Sequence, residues 1–182
     1  MEQRRAITPP HGRPVVGQET SPPRPEQRWL RLPPNPALVH DARDYAVACM
    51  AEAGVQEPTL AGDVRLLVSE AITNAMRAAE RYARERGRPW ESYEYPVGLR
   101  VVCRPMWVHL LVTDPDPQVP EPEPRDLLDE EGGRGFTIIE QFAALSWFTP
   151  GTYGKTFHVI ATRTTVTLTA DEVRRLQQRV IM

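Results

Sequence analysis

The chain has 182 residues, 41% of them hydrophobic and 25% charged, with a formal net charge of -2. That length suits one domain of about 150 residues, so a second full one is not expected, and the near-neutral charge gives no general electrostatic reason to expect direct nucleic-acid or membrane binding. No apolar run approaches the roughly 20 residues needed to cross a bilayer, and Met1-Glu2-Gln3-Arg4-Arg5 leads into prolines in place of an apolar signal core, so a cytoplasmic protein is expected.

Nine of the 19 prolines fall in the first 36 residues, with no apolar periodicity before Trp29. Such a segment cannot bury enough surface to offset its ordering entropy, so residues 1–27 are expected to be a disordered tail. Order begins with Arg28 to Leu32, whose alternation suits a short edge strand ended by Pro33-Pro34. Asn35 can cap a helix with Pro36 at its first position, and Gly54 can terminate it.

A longer helix over Thr59 to Arg86 places Val64, Leu67, Val68, Ala71, Ile72, Ala75, Met76 and Ala79 in one stripe. Two strands follow, Val97 to Cys103 and Trp107 to Thr113, turning at Arg104-Pro105-Met106. Residues 114–126 carry alternate prolines, which remove ladder donors and make an extended loop. Gly132-Gly133-Arg134-Gly135 then opens a short helix through Phe136, Ile138, Ile139 and Phe142. Leu145 to Thr149 and Thr156 to Thr162 read as strands joined across Pro150 to Gly154, and Ala170 to Val180 as a terminal amphipathic helix. This order predicts an α+β fold, a two-layer α/β sandwich with helices on one face of a mostly antiparallel mixed sheet. The expected organisation is a tail over 1–27, a domain over 28–165 and a helical extension over 166–182.

Several motifs bear on chemistry. Glu70 and Asn74 are four apart, so they project from one side of a helix about 40° from one another. At the margin of the apolar stripe they offer a proton acceptor and a neutral oxygen ligand for Mg2+, or an ordinary boundary hydrogen-bond pair. The glycines around Arg134 let backbone N–H groups approach an anion at a helix N-terminus, or serve as a hinge. Lys155, the only lysine among 22 basic residues, sits in Gly154-Lys155-Thr156. This is not a P-loop, because Thr149 stands where the first glycine would be and Phe157 to Ile160 reads as strand. The four histidines show no short ligand spacing, and Cys49 and Cys103 form no CxxC pattern, so a zinc site and a disulfide framework are not expected.

In order, Glu70-x-x-x-Asn74, Thr113-Asp114, a long loop, Gly132 to Glu140 and Gly154-Lys155-Thr156 resemble the boxes of the gyrase, chaperone and histidine-kinase ATPase superfamily. Within it the chain is most similar to the anti-sigma-factor serine/threonine kinases, over roughly residues 28 to 162. The resemblance implies the histidine-kinase-like ATPase fold, with ATP and Mg2+ as cofactors. It makes Glu70 the general base for a partner's serine hydroxyl and Asn74 a Mg2+ ligand. Asp114 would accept the adenine amino group, supported by Thr156, and Gly132, Gly133 and Gly135 would line the phosphates. Arg134 and Lys155 complete the implied cofactor-binding set, and the proline-rich stretch would be the lid over ATP. The implied partners are a sigma factor and an anti-anti-sigma (STAS-type) protein, with a homodimer also open. Pro115, Asp116 and Pro117 follow Asp114 where the family has glycines, and Ala78 stands where many relatives have histidine. Three functions therefore stay open: a serine kinase that holds a sigma factor, a pure partner-binding module of the same fold, and a simple ATPase.

Overall fold

The computed structural model describes residues 28–88, 96–120, 134–163 and 167–178, with only the backbone described at Arg134 and Leu176. The expected tail, Gly132 and Gly133 lie outside the described residues.

The elements run β1 (Leu30–Leu32), a 3-10 turn (Pro36–Leu38), α1 (Val39–Glu52), α2 (Pro58–Glu85), β2 (Val97–Arg104), β3 (Trp107–Asp114), α3 (Arg134–Phe142), β4 (Leu145–Gly151), β5 (Gly154–Thr162) and α4 (Ala170–Gln178). Asn35 Oδ1 accepts from Ala37 N–H at 3.0 Å, so it caps the 3-10 turn that leads into α1. Gly54, at φ 72, stands just past the end of α1. In α2, Glu57 caps by accepting from Leu60 N–H at 3.0 Å, and Pro58 occupies the first position, where a missing N–H costs nothing. Its 28 residues make a rod about 42 Å long. Thr169 and Glu172 form a capping box at α4: Thr169 N–H donates to Glu172 Oε2 at 2.8 Å, and Glu172 N–H donates to Thr169 Oγ1 at 3.3 Å.

The strands form one five-stranded sheet in the order β1-β2-β3-β5-β4, and every pairing is antiparallel. The α+β sandwich is as expected. Alternation along β2, β3 and β5 sends Leu99, Val101, Leu110, Val112, Phe157 and Val159 toward the helices. There they meet the predicted stripe of α2, whose eight apolar residues are all buried. Cys49 and Cys103 are buried, free thiols that pack in this core, and burial pushes both up, Cys103 to about 12. No helix among the described residues is long and apolar enough to cross a membrane.

The turn joining β4 and β5 is tighter than expected. β4 runs on through Pro150 and Gly151, paired with Lys155 and Gly154, leaving a two-residue turn at Thr152-Tyr153. β4 is an edge strand, so the donor that Pro150 lacks can face solvent.

Candidate functional site

Two clusters gather where α2 and α3 meet the ends of β3 and β5. In the first, α3 is fixed by Ile139, which is wholly buried, and by Phe136, whose ring lies 6.3 Å from Phe148 and 6.0 Å from Phe157. That docking turns Gly135 toward α2. A β-carbon at Gly135 would stand 2.9 Å from Glu70 Oε2 and 3.3 Å from both ends of the Asn74 amide. Only glycine brings this backbone so close to the pair. Asn74 Nδ2 is buried and has no hydrogen-bond partner among the described residues. A buried polar atom without a partner costs about 1–3 kcal/mol, and a flip of the amide would place an oxygen there instead of the nitrogen. The cluster therefore joins a carboxylate, an amide in need of a ligand and the first turn of a helix, whose N–H groups have no intrahelical acceptors.

The second cluster is ionic. Register places Asp114 directly opposite Lys155, so both side chains share the helix-facing side of the sheet. Lys155 Nζ donates to Asp114 Oδ1 at 2.9 Å and to Asp116 O at 2.8 Å, with both charged side chains almost fully buried. Asp116 N–H donates to Asp114 Oδ1, and Gln118 N–H to Asp116 Oδ1, at 3.0 and 2.9 Å. Arg81 of α2 reaches across to Asp116 Oδ2 at 2.5 Å. The start of the long loop is thus bonded to both layers. Burial pushes Asp114 up to about 6 against the opposing Lys155 hydrogen bond and charge. At Asp116 burial also raises, but the Gln118 hydrogen bond, Arg81 and Lys155 outweigh it and hold the carboxyl below its ordinary range.

Gly154 makes this packing possible. It sits at φ +114, and a β-carbon there would lie 1.9 Å from Asp114 O and 2.8 Å from Pro115.

The predicted residues divide accordingly. Glu70, Asn74 and Gly135 come together, as do Asp114 and Lys155. Thr156 does not join Asp114. It pairs with Thr113 and alternates onto the opposite face with His158, so the residue beside Asp114 is Lys155. Lys155 in turn is a buried ion-pair partner, with its ammonium already held by two oxygens. The side chain of Arg134, with Gly132 and Gly133, falls outside what is described.

Asp116 and Arg81 were not singled out by sequence. Asp116 had a signal: in Asp114-Pro115-Asp116-Pro117-Gln118 each Asp is followed two residues on by a backbone donor, the pattern of an Asx turn. Arg81 had none. Among the described residues no group of three or more His, Cys, Asp or Glu side chains is placed to hold a metal ion.

No curated protein matches the chain. Among solved structures it is similar to the crystal structure of the SiaB-SiaC complex from Pseudomonas aeruginosa, at 13% identity over 77% of this chain and 90% of that one, with a TM-score of 0.45. Residues 32–154, which span both clusters apart from Lys155, match the family described as the histidine kinase-like ATPase domain. The chain belongs to the histidine kinase-like ATPase family.

Proposed function

We propose that this protein is an ATP-binding anti-sigma factor with serine kinase activity toward an anti-anti-sigma partner. The observation that carries the nucleotide site is the meeting of Glu70, Asn74 and Gly135: a carboxylate, an amide whose buried nitrogen has no partner among the described residues and a glycine cradle at a helix start. These residues fit a Mg-nucleotide. Asn74, with its amide oxygen inward, would hold Mg2+, which supplies neutralisation of the phosphate charge when bound. The N–H groups at the start of α3 would meet the phosphates, with Gly132 and Gly133 as the expected continuation of that cradle. Asp114 would accept the adenine amino group. Glu70 would take the proton from the partner's serine hydroxyl as its oxygen bonds to the γ-phosphorus and the bond to the ADP oxygen breaks. The sigma-factor role and the identity of the partners rest on the sequence resemblance.

The test is transfer of radiolabel from ATP to a serine of the anti-anti-sigma protein by the full chain with Mg2+. Glu70→Gln abolishes transfer and keeps ATP binding. Transfer that survives Glu70→Gln would remove Glu70 as the base.

The occupied Asp114 Oδ1 favours a second reading, a partner-binding module in which nucleotide is structural or absent. Calorimetry separates the two. Mg-ATP binding without phosphorylation of any partner supports the module, and partner-free hydrolysis points to a simple ATPase.

A further inference from the structure

Lys155 looks, from its place in Gly154-Lys155-Thr156, like a cation waiting for phosphate. Its surroundings give it other work. The ammonium is buried and already donates to Asp114 Oδ1 and to Asp116 O, and the Asp116 carboxylate lies 4.0 Å away. Removing it from these oxygens would leave a buried charge unpaired, which is costly.

The effect on Asp114 is specific in geometry. Both hydrogen bonds to this carboxylate, from Lys155 Nζ and Asp116 N–H, fall on Oδ1, and Oδ2 receives none among the described residues. We infer that Lys155 is a positioning residue for base recognition, holding Asp114 as a carboxylate with Oδ1 occupied and Oδ2 left as the acceptor for the amino group of a purine. This rests on the proposal that Asp114 meets adenine. An amino group donates, so it needs a bare oxygen opposite it. A protonated carboxyl can present O–H there, donor against donor.

The surrounding charges explain why a cation is needed. Burial drives Asp114 toward its neutral form, and Asp116, the neighbouring carboxylate, drives it the same way. Lys155 on β5 is the cation that opposes both directly. Arg81 on α2 reaches Asp116 and not Asp114, so it cannot take over that task.

The experiment measures ATP affinity of the full chain by calorimetry across the range from about pH 5 to about pH 9, for the wild type and Lys155→Met. In parallel, carbon NMR follows the Asp114 carboxyl without nucleotide. The wild type should lose affinity as the pH falls through about 6, where Asp114 takes up a proton. In Lys155→Met the midpoint moves up by at least one unit, giving at least about twofold weaker binding at neutral pH that recovers at high pH. The Asp114 resonance should titrate with the same upward shift. Lys155→Gln keeps a donor but drops the charge, and should shift both readouts in the same direction where the methionine variant does not fold.

A merely structural lysine would weaken binding equally at every pH and leave the midpoint unmoved, which would overturn the inference. A wild type that binds no ATP at any pH defeats the nucleotide reading, and the positioning role falls with it. An Asp114 titration unmoved by either substitution defeats the Lys155 role alone.

Discussion

On the sheet face turned away from α1 and α2, His109 Nε2 and His158 Nδ1 stand 3.1 Å apart, and His158 Nε2 lies 2.8 Å from Thr149 Oγ1. Trp147 stacks on His158 with ring centroids 4.7 Å apart and planes 9° from parallel. One hydrogen fits between the two imidazoles, with one ring donating and the other accepting. A second proton would set N–H against N–H in a buried site. Burial, the neighbouring His158 charge and Arg100 hold His109 at about 3, and burial holds His158 at about 4. Both values lie well below the ordinary 6.5 of an exposed histidine.

The sign follows from linkage. The unfolded chain binds these two protons below about pH 6.5 and the folded chain does not until about pH 3–4, so stability is complete above that window and falls as pH falls through it. At about pH 5.5 each unfolded histidine is protonated about tenfold over neutral, a loss of about 3 kcal/mol for the pair. Asp114 acts oppositely. Its folded carboxyl, raised from 3.8 to about 6, takes a proton before the unfolded one does and returns about 1 kcal/mol at that pH. A net loss of about 2 kcal/mol is therefore expected between about pH 7.5 and about pH 5.5. Urea unfolding at the two pH values, followed by tryptophan fluorescence, reads it directly. In His158→Gln one histidine is gone, and the histidine part of the pH-dependent loss should shrink by about half whatever the substitution does to absolute stability. A stability that is flat across this range, or a slope that His158→Gln leaves intact, would refute the neutral buried pair.

Gly154→Ala should destabilise the fold by about 3 kcal/mol or more, since the residue sits at φ +114 and its β-carbon would overlap the Asp114 carbonyl; a urea midpoint unchanged from the wild type would contradict the close packing. Gly135→Ala should separate stability from function. Its β-carbon meets the movable end of Glu70 and the Asn74 amide and no rigid backbone, so unfolding shifts by less than about 1 kcal/mol while ATP affinity falls at least about tenfold, compared by urea titration and calorimetry. Leu67→Ala, in the wholly buried stripe of α2, should cost about 2–5 kcal/mol by urea unfolding.

The parts of this protein that sequence exposed are those written in one stretch of chain. The α2 stripe is legible because 3.6-residue periodicity is a local property, and each of its eight predicted apolar positions is buried. Caps behaved likewise: Asn35 and Gly54 act on neighbours within four residues. Sequence ends β4 at Thr149, before Pro150, and nothing nearby in the chain tells that β4 lies at the edge, where proline is tolerated.

The site shows the same boundary between local and long-range information. Glu70 and Asn74 share a helix face by arithmetic, yet Gly135 reaches them from far along the chain. Thr156 and Lys155 are adjacent in sequence and land on opposite faces of the sheet. Which of them meets Asp114 depends on the β3–β5 register, and a shift of one residue would exchange them. A motif fixes spacing within one strand and carries no information on the partner strand's register. His109 and His158, 49 residues apart and bonded, obey the same limit. Each alone looked like a lone histidine with no ligand spacing, and their pairing exists only once β3 and β5 lie side by side. Chemistry that depends on a cross-strand pair is therefore absent from every window of the sequence and appears with the register, which is why the ion pair on one face of the sheet and the histidine pair on the other both emerged from the fold and not from the motifs.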